Sequence, residues 1–342
     1  MSTTPPLSLT RAQILGHRRA AGGLDDRLPQ GEESLRKAAW GGIQDSMPRA
    51  AVLSIHARVE GTRAFVLDHP SVVQLWGPRF SAYVVAARDA AVFTLGRLPD
   101  DARGLRRAED TATRLAAFLN GRTMTYGEAG RGLGEKDPNA VRYAAPTGTV
   151  LIRWDGARQP TIWTVPRPDV DPLDARVELA RRYLHVLGPG TPDSFAKWAG
   201  IKPPRAHRAF DSLREELVAV RTPIGDASIL LGDEPSFRAA PPPTDAVRLL
   251  PSGDAFFLMW GADRELLVPE PERRDSLWTT RVWPGAVLAG GEIVGTWRRA
   301  NELVAVQPWP NLEPRYRDAV EAEARSLPLP ALDRPIDVKW DG

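Results

Sequence analysis

The stretch that decides the interpretation of this chain is Gly41-Gly42-Ile43-Gln44-Asp45-Ser46-Met47-Pro48-Arg49-Ala50-Ala51-Val52-Leu53-Ser54-Ile55-His56-Ala57-Arg58-Val59-Glu60, the signature stretch. Apolar residues at helical spacing end at Ile43, and Pro48 suits the first turn of a new helix, where its missing N–H needs no partner. The pattern therefore predicts two short helices separated by a polar turn. That turn presents Gln44, Asp45 and Ser46 together. Such side chains can serve catalysis, or they can simply cap helix ends.

Part of the signature stretch matches a known pattern. The matching residues are Gly42, Ile43, Gln44, Pro48, Arg49 and Ala51. They resemble the AlkZ/YcaQ-like winged-helix DNA glycosylases, whose pattern is roughly Gly-Leu-Gln-x-Gln-x-x-Pro-Arg-x-Ala. Ser46 departs from that pattern, because the family has a second catalytic Gln or Asp there, and Asp45 fills the variable position between the two. The resemblance makes Gln44, Ser46 and Asp45 the candidate catalytic residues.

The resemblance also implies a chemistry, the excision of bulky or crosslinked N7-alkylpurines. Breaking an N-glycosidic bond gives the sugar oxocarbenium character, and an N7-alkylpurine is already an activated leaving group. The site therefore needs positioned polar groups and an oriented water, which Gln44 can help to supply. Ser46 is shorter than a glutamine and reaches less far, so we expect weakened or altered activity. If the protein is active, it is a monofunctional DNA N-glycosylase; the alternative is a non-catalytic DNA-binding protein, a transcriptional regulator or lesion sensor.

Composition narrows the class of protein further. Of the 342 residues, 42% are hydrophobic and 26% are charged, which suits a globular chain of several modules. The absence of Cys excludes disulfides and thiol catalysis, and the five His show no metal-ligand spacing, so we expect no metal and no cofactor. The N-terminus lacks the apolar core of a signal peptide, and no run of about 18 apolar residues occurs. We expect a cytoplasmic, bacterial protein with no membrane contact.

The first predicted unit covers residues 8–100. Thr10 and Gln13 form a capping box that begins a helix. After the signature stretch, the pattern predicts a helix over Val72–Trp76 and a strand over Phe80–Ala86. Arg79 lies between them in a Trp-x-x-Arg motif that is similar to the family. Helices followed by strands are typical of a winged-helix module.

The second predicted unit, residues 101–168, repeats that order. A helix over Leu105–Leu119 precedes two strands, Thr149–Trp154 and Thr161–Val165. The hairpin between the strands carries Arg153 and Arg158 near its tip. It can be a wing that contacts the DNA backbone or a solvated hairpin, and the sequence leaves both open.

The third predicted unit, residues 169–238, resembles the family most closely. Helices over Leu173–Leu187 and Arg205–Leu217 flank a helix capped by Thr191, and a hairpin follows. A Pro-rich linker then leads to a C-terminal β-rich domain, residues 245–327, with a final helix over Glu313–Ser326 and a tail that we expect to be mobile. The strands predicted there are Val247–Leu250, Ala255–Met259, Leu266–Val268, Ala286–Leu288, Glu292–Trp297 and Leu303–Pro308.

The resemblance extends over about residues 8–327 and implies the fold. We expect an α+β, mainly α protein with tandem winged-helix modules and a C-terminal β-rich domain, C-shaped around duplex DNA. Double-stranded DNA is thus the expected partner of a monomer. Most basic residues are Arg, whose forked guanidinium suits phosphates, although each can equally be a solvated surface charge. The candidate DNA contacts are Arg49, Arg58, Arg79, Arg153, Arg158, Arg181, Arg182, Arg205, Arg208, Arg298 and Arg299.

Overall fold

The structure, a computed structural model, describes residues 7–45, 50–155, 159–239, 244–329 and 335–341. Its α-helices are α1 (Arg11–Ala21), α2 (Glu32–Ala38), α3 (Ala50–His56), α4 (Ala90–Thr94), α5 (Ala102–Leu119), α6 (Tyr126–Gly132), α7 (Pro172–Leu187), α8 (Pro192–Ala199), α9 (Pro203–Ser212), α10 (Glu234–Arg238), α11 (Ala262–Leu267), α12 (Pro271–Leu277) and α13 (Arg317–Arg325). Short 3₁₀ segments occur at Val66–Asp68, Pro78–Phe80, Ala87–Asp89, Leu95–Arg97, Pro138–Thr147, Arg214–Glu216, Leu231–Asp233 and Pro314–Tyr316. None of these helices has the length and apolar character needed to cross a membrane.

The strands are β1 (Leu7–Ser8), β2 (Ile43–Gln44), β3 (Val72–Trp76), β4 (Ala82–Ala86), β5 (Met124–Thr125), β6 (Val150–Arg153), β7 (Thr161–Thr164), β8 (Leu217–Thr222), β9 (Gly225–Leu230), β10 (Val247–Leu250), β11 (Gly285–Ala289), β12 (Glu292–Ala300), β13 (Leu303–Pro308) and β14 (Asp337–Trp340). In the described part of the chain they form sheets of order β1-β8-β9, β2-β4-β3-β6-β7-β5 and β10-β11-β12-β13-β14. The chain is therefore a mixed α/β protein.

The second of these sheets joins the first two predicted units. β3 from the first unit pairs with β6 from the second, where Gln74 lies opposite Ile152. The domain boundary predicted near residue 100 stays a prediction. The sheet itself is continuous across the two units.

The first of the two predicted helices is α2, which ends at Ala38. The beginning of the signature stretch is therefore not helical, and that part of the prediction is wrong. Ile43–Gln44 is the strand β2, in which Ile43 pairs with Val84 of β4. Gly42 has φ +73°, and a Cβ on it would lie 2.7 Å from Phe93 Cε1, so glycine is needed where the chain turns into β2. The apolar spacing is helical, but pairing with a distant strand determines the conformation. The second helix is confirmed as α3, and residues 46–49 lie outside the described part of the chain.

The helix predicted over Val72–Trp76 is also wrong, because these residues form β3. Val72 lies opposite Ala86 and Trp76 opposite Ala82 in an antiparallel pair with β4. The segment His69-Pro70-Ser71 before Val72 suggests a helix start. β-Branched and aromatic residues pack well on a sheet surface, however, and this preference outweighs that signal.

The third unit follows its prediction closely. α7, α8 and α9 are followed by the hairpin β8–β9, in which Leu217 lies opposite Leu230. Thr191 caps α8 by accepting the Ser194 backbone N–H at 3.1 Å. Gly200, with φ +69°, ends α8.

The C-terminal region contains the predicted sheet with three corrections. Ala255–Met259 forms turns rather than a strand, and the predicted strand at Leu266–Val268 is the end of α11. Short apolar runs do not distinguish strand from helix, which explains the second error. The C-terminal tail, which is predicted to be mobile, contains the strand β14, and β14 pairs in parallel with β13. The predicted final helix is confirmed as α13.

The main core joins the third unit to the C-terminal region. Leu184, Phe195 and Phe210 from the third unit belong to the same buried cluster as Phe257 and Leu277. Tyr83 of β4, which faces the candidate site described next, belongs to this cluster too. The site is therefore supported by the largest apolar cluster among the described residues.

Candidate active site

Gln44 lies on β2 directly opposite Tyr83 of β4. Successive side chains of a strand point to opposite faces. Ile43, at 3% exposure, enters the apolar core, and Gln44 is left half-buried on the other face. The strand therefore presents the amide of Gln44 from a supported position.

The amide oxygen of Gln44 is held by two donors. Arg79 Nη2 donates to Gln44 Oε1 at 2.8 Å, and the Tyr83 hydroxyl donates to the same oxygen at 3.4 Å. Burial raises the pKa of Tyr83 above its usual value, so the phenol keeps the proton that it donates. Both contacts fix the orientation of the amide.

Arg79 also contacts two other parts of the fold. Its Nη1 donates to the carbonyl oxygen of Trp198 at the end of α8. Its guanidinium carbon lies 4.4 Å from the ring centroid of Trp260, a cation–π contact. The sequence motif identifies Arg79 only as a DNA contact, and it gives no signal for Tyr83 or Trp260. The structure instead brings Arg79 onto the candidate catalytic residue.

Asp45 has a different set of partners from Gln44. It is 2% exposed, and its Oδ1 accepts the Ala51 backbone N–H at 3.0 Å at the start of α3. Its Oδ2 accepts from Gln74 Nε2 at 2.7 Å. Burial raises the pKa of Asp45 to about 6 although both hydrogen bonds lower it. These contacts favour the capping interpretation of this carboxylate.

The partner of Asp45 continues the network to the second unit. Gln74 Oε1 accepts from the Trp154 backbone N–H at 2.8 Å, and Gln74 Nε2 also lies 3.3 Å from the Trp154 carbonyl oxygen. Trp154 follows β6 at the hairpin that the sequence identifies as a possible wing. Asp45 therefore connects the start of α3 to that hairpin.

Three of the candidate DNA-binding arginines are buried in ion pairs. Arg58, 3% exposed, binds both carboxylate oxygens of Asp254 at 2.7 and 2.8 Å. Arg182, also 3% exposed, pairs with Asp89 at 3.0 Å. Arg205 is buried as well and pairs with two acidic residues, Asp100 and Asp101. The burial of these guanidinium groups in ion pairs argues against direct phosphate contacts, so Arg58, Arg182 and Arg205 are not among the DNA contacts that we propose.

The remaining arginines are less enclosed. Arg153 pairs with Asp68, Arg181 pairs with Glu178 and Glu216, and Arg208 pairs with Asp100. Arg298 and Arg299 are exposed on β12, where each donates to a backbone carbonyl oxygen. Arg49, Arg158 and the candidate catalytic Ser46 lie outside the described residues.

Among the described residues, one group has the geometry to be considered for a metal. His17, His185 and Asp233 offer ligand atoms within 4.8 Å of one another. However, both ring nitrogens of His17 are engaged, one with Ser236 Oγ at 2.9 Å and the other with the His185 carbonyl oxygen at 2.8 Å. His185 Nδ1 bonds Asp233 at 2.9 Å. The group is hydrogen-bonded internally, and the wide sequence separation of its members explains why it has no spacing signal.

Comparison with known proteins shows the family of the chain and the likeness of its fold. The family model described as DNA glycosylase AlkZ-like matches residues 38–328. An interstrand DNA cross-link repair glycosylase from Streptomyces sahachiroi is 28% identical over 164 residues, which are 47% of this chain and 43% of that protein. The chain thus matches less than half of that relative's length. The solved structure of Streptomyces sahachiroi DNA glycosylase AlkZ superposes with a TM-score of 0.78 at 18% identity, over 98% of this chain and 100% of that one. The resemblance seen in the signature stretch is confirmed, and the chain belongs to the AlkZ-like DNA glycosylase family.

Proposed function

We propose that this protein is a monofunctional DNA N-glycosylase that removes N7-alkylated purines from duplex DNA, with Gln44 as a catalytic residue of its active site. The observation that carries the proposal is the half-buried amide of Gln44, which Arg79 and Tyr83 hold in one orientation within the family's signature stretch. A held polar group of this kind costs little reorganisation when charge develops in the transition state.

The reaction needs no metal or cofactor. Water adds its oxygen to the sugar C1′, the C1′–N9 bond breaks with its electron pair on the purine, and one proton is released. An N7-alkylpurine carries a positive charge before cleavage and leaves as a neutral base. The enzyme therefore needs polar groups beside the sugar more than it needs a strong acid. We propose that Gln44 supplies one of these groups, and that Asp45 serves mainly to order the start of α3.

Duplex DNA is the proposed partner of a monomer acting in the bacterial cytoplasm. The order α7, α8, α9 and hairpin β8–β9 supports a winged-helix module, and we propose that such modules and the C-terminal sheet form a C-shaped surface around the duplex. The proposed backbone contacts are the candidate arginines other than Arg79 that are not buried, among them Arg298 and Arg299. Such contacts position the duplex and do not select a sequence.

Ser46 favours a second candidate function. The family pattern has a Gln or Asp at this position, and serine cannot reach as far. A chain that lost this partner and retained the fold would bind DNA without excising bases, as a lesion sensor or a transcriptional regulator. A regulator should also prefer one DNA sequence over random duplex, which an excision enzyme need not do.

The test is release of 7-methylguanine from methylated duplex DNA, scored as alkali-labile abasic sites. Excision by the wild type that disappears in Gln44→Ala supports the proposal. Excision only in Ser46→Gln shows that the scaffold binds its substrate but has lost the second catalytic group. No excision by any variant, with duplex binding retained, supports the non-catalytic function.

A second substrate distinguishes a broad enzyme from a narrow one. The Streptomyces sahachiroi relative is an interstrand DNA cross-link repair glycosylase. On our own proposal of N7-alkylpurine chemistry, the second substrate to test is a duplex crosslinked through two purine N7 atoms. We propose that this chain accepts it. Denaturing electrophoresis would then show separated strands after incubation with the wild type and an intact crosslink with Gln44→Ala.

A further inference from the structure

The contact between Arg79 and Gln44 defines which way the Gln44 amide faces. Amide oxygen and nitrogen look alike in most structures, so their assignment depends on the partners. Arg79 can only donate, since a guanidinium has no acceptor. The Gln44 atom 2.8 Å from Arg79 Nη2 must therefore be the oxygen, and the Tyr83 hydroxyl donates to the same atom.

Arg79 is itself held firmly in place. Arg79 and Phe80 have φ values of +56° and +57°, a left-handed conformation that is uncommon for residues with side chains and persists where surrounding contacts enforce it. Gly200 lies against this turn so closely that a Cβ on it would be 2.9 Å from the backbone nitrogen of Arg79. The guanidinium then spans Gln44, the Trp198 carbonyl oxygen and the Trp260 ring. The Arg79 side chain thus contacts three other chain segments, those of Gln44, Trp198 and Trp260.

The nitrogen of the Gln44 amide, Nε2, is the polar atom of this side chain that is available to bind a substrate. No group among the described residues accepts a hydrogen bond from Nε2. Gly253, with φ +79°, lies beside it, and a Cβ there would come within 3.4 Å of Nε2. A glycine at this position keeps the space beside the nitrogen clear.

We propose that Gln44 acts in the reaction as a hydrogen-bond donor through Nε2, and that Arg79 is the positioning residue that enforces this role. The inference depends on the proposed glycosylase function. Electrons move onto the purine as the C1′–N9 bond breaks, so a donor aimed at an acceptor atom beside that bond becomes more favourable as cleavage proceeds. Because its oxygen is occupied by Arg79 and Tyr83, Gln44 does not take the proton that the attacking water releases; solvent or another group takes it.

The decisive variant is Gln44→Glu, which keeps the size of the side chain. One carboxylate oxygen still accepts from Arg79 and Tyr83, but the Nε2 donor becomes an acceptor. We expect single-turnover excision of 7-methylguanine to fall by about 100-fold, the usual effect of removing one transition-state donor. Excision that is retained or increased in Gln44→Glu would refute the donor role, because an acceptor oxygen would then be the useful group.

Arg79→Met tests the positioning role. We expect the excision rate at saturating enzyme to fall at least tenfold while the dissociation constant for duplex DNA changes less than threefold, and Arg79→Lys to recover only part of the rate. A single ammonium cannot span the two acceptors that the guanidinium fork reaches. Arg325→Met, which removes an arginine paired with Glu321 on α13, is the matched control. Weaker DNA binding with an unchanged saturated rate would show that Arg79 is a phosphate contact instead.

A thermal measurement separates this inference from the proposed function, because it needs no activity. In the wild-type background, Gln44→Glu gains an ion pair with Arg79, so the melting temperature should stay equal or rise. In the Arg79→Met background the same change leaves a half-buried carboxylate without its counter-charge, with only the Tyr83 hydroxyl to donate to it, and we expect a fall of about 4 °C. Equal shifts in both backgrounds would refute the contact. If the wild type excises nothing, the proposed function and the donor role both fail, and the thermal cycle still decides whether Arg79 orients Gln44.

Discussion

The buried ion pair Arg58–Asp254 predicts that Arg58 stabilises the fold rather than binding DNA. Arg58 is in the signature stretch and is a candidate DNA contact by sequence, but the structure buries it. The Asp254 carboxylate accepts four hydrogen bonds, two of them from Arg58 at 2.7 and 2.8 Å, one from Ser54 Oγ at 2.6 Å and one from the Phe256 backbone N–H at 3.0 Å. Burial alone would raise the pKa of Asp254, but the charge and hydrogen bonds of Arg58 hold it below its usual value.

We expect Arg58→Met to destabilise the fold strongly. The substitution removes two of the four bonds and leaves a fully buried carboxylate without its counter-charge, which typically costs about 3–5 kcal/mol. At roughly 2 °C per kcal/mol for a chain of this size, the melting temperature should fall by about 6–10 °C. Asp254→Asn should have a similar effect, because it leaves the guanidinium unpaired. The double variant Arg58→Met/Asp254→Leu should lose less than the sum of the single losses.

The assay combines thermal unfolding, followed by circular dichroism, with duplex binding at several salt concentrations. If Arg58 is structural, the folded variant at low temperature should keep the wild-type slope of log affinity against log salt concentration. An unchanged melting temperature with a salt slope reduced by about one would refute this reasoning, because that result is expected for a phosphate contact.

Three further predictions concern other parts of the fold. Burial lowers the pKa of His56 to about 4, so the unfolded chain binds this proton first as pH falls. The contribution of His56 to stability should therefore decline by up to about 1.4 kcal/mol per pH unit between pH 6.5 and 4, against an opposite contribution from Asp45, whose pKa is raised to about 6. Calorimetry should show that His56→Gln removes this decline, whereas the control substitution His69→Gln at an exposed position does not. Gly42→Ala should lower stability by about 2 kcal/mol or more in urea unfolding and abolish excision, because its Cβ meets Phe93 at a positive φ; a neutral result would contradict the role given to β2. Replacing both Arg298 and Arg299 with Ala should weaken duplex binding and reduce the salt slope by about two, with only a small change in melting temperature because both side chains are exposed. An unchanged slope would remove β12 from the proposed interface.

Local signals in the sequence were reliable where the contacts that stabilise an element are themselves local. Thr10 and Gln13 lie three residues apart and form the predicted capping box at the start of α1. Thr125 and Glu128, which are also three residues apart, form an equivalent capping box at the start of α6 in the structure. These interactions depend on the backbone of a single turn, so the residues that make them can be identified without knowledge of the fold.

The candidate site depends instead on contacts between distant segments. Gln44 meets Arg79 across 35 residues, and Arg58 meets Asp254 across 196. The sequence identifies Gln44 through the family pattern, but β2 exists only because β4 pairs with it. For the same reason, the different roles of Arg79 and Arg58 could not be distinguished from the sequence. Arg58 lies in the signature stretch and Arg79 follows it, and only their partners distinguish a positioning residue from a structural ion pair.

The six-stranded sheet has a consequence for how this protein can be divided. Because β3 pairs with β4 on one side and β6 on the other, a fragment that ended near residue 100 would leave β3 with an unpaired edge. Exposed edges of this kind tend to pair with other chains and aggregate. The hairpin β6–β7 would meanwhile lose the strand against which it aligns. The first two predicted units therefore depend on each other through this sheet. We expect a recombinant that takes residues 8–168 from one parent to give soluble protein more often than one with a crossover near residue 100.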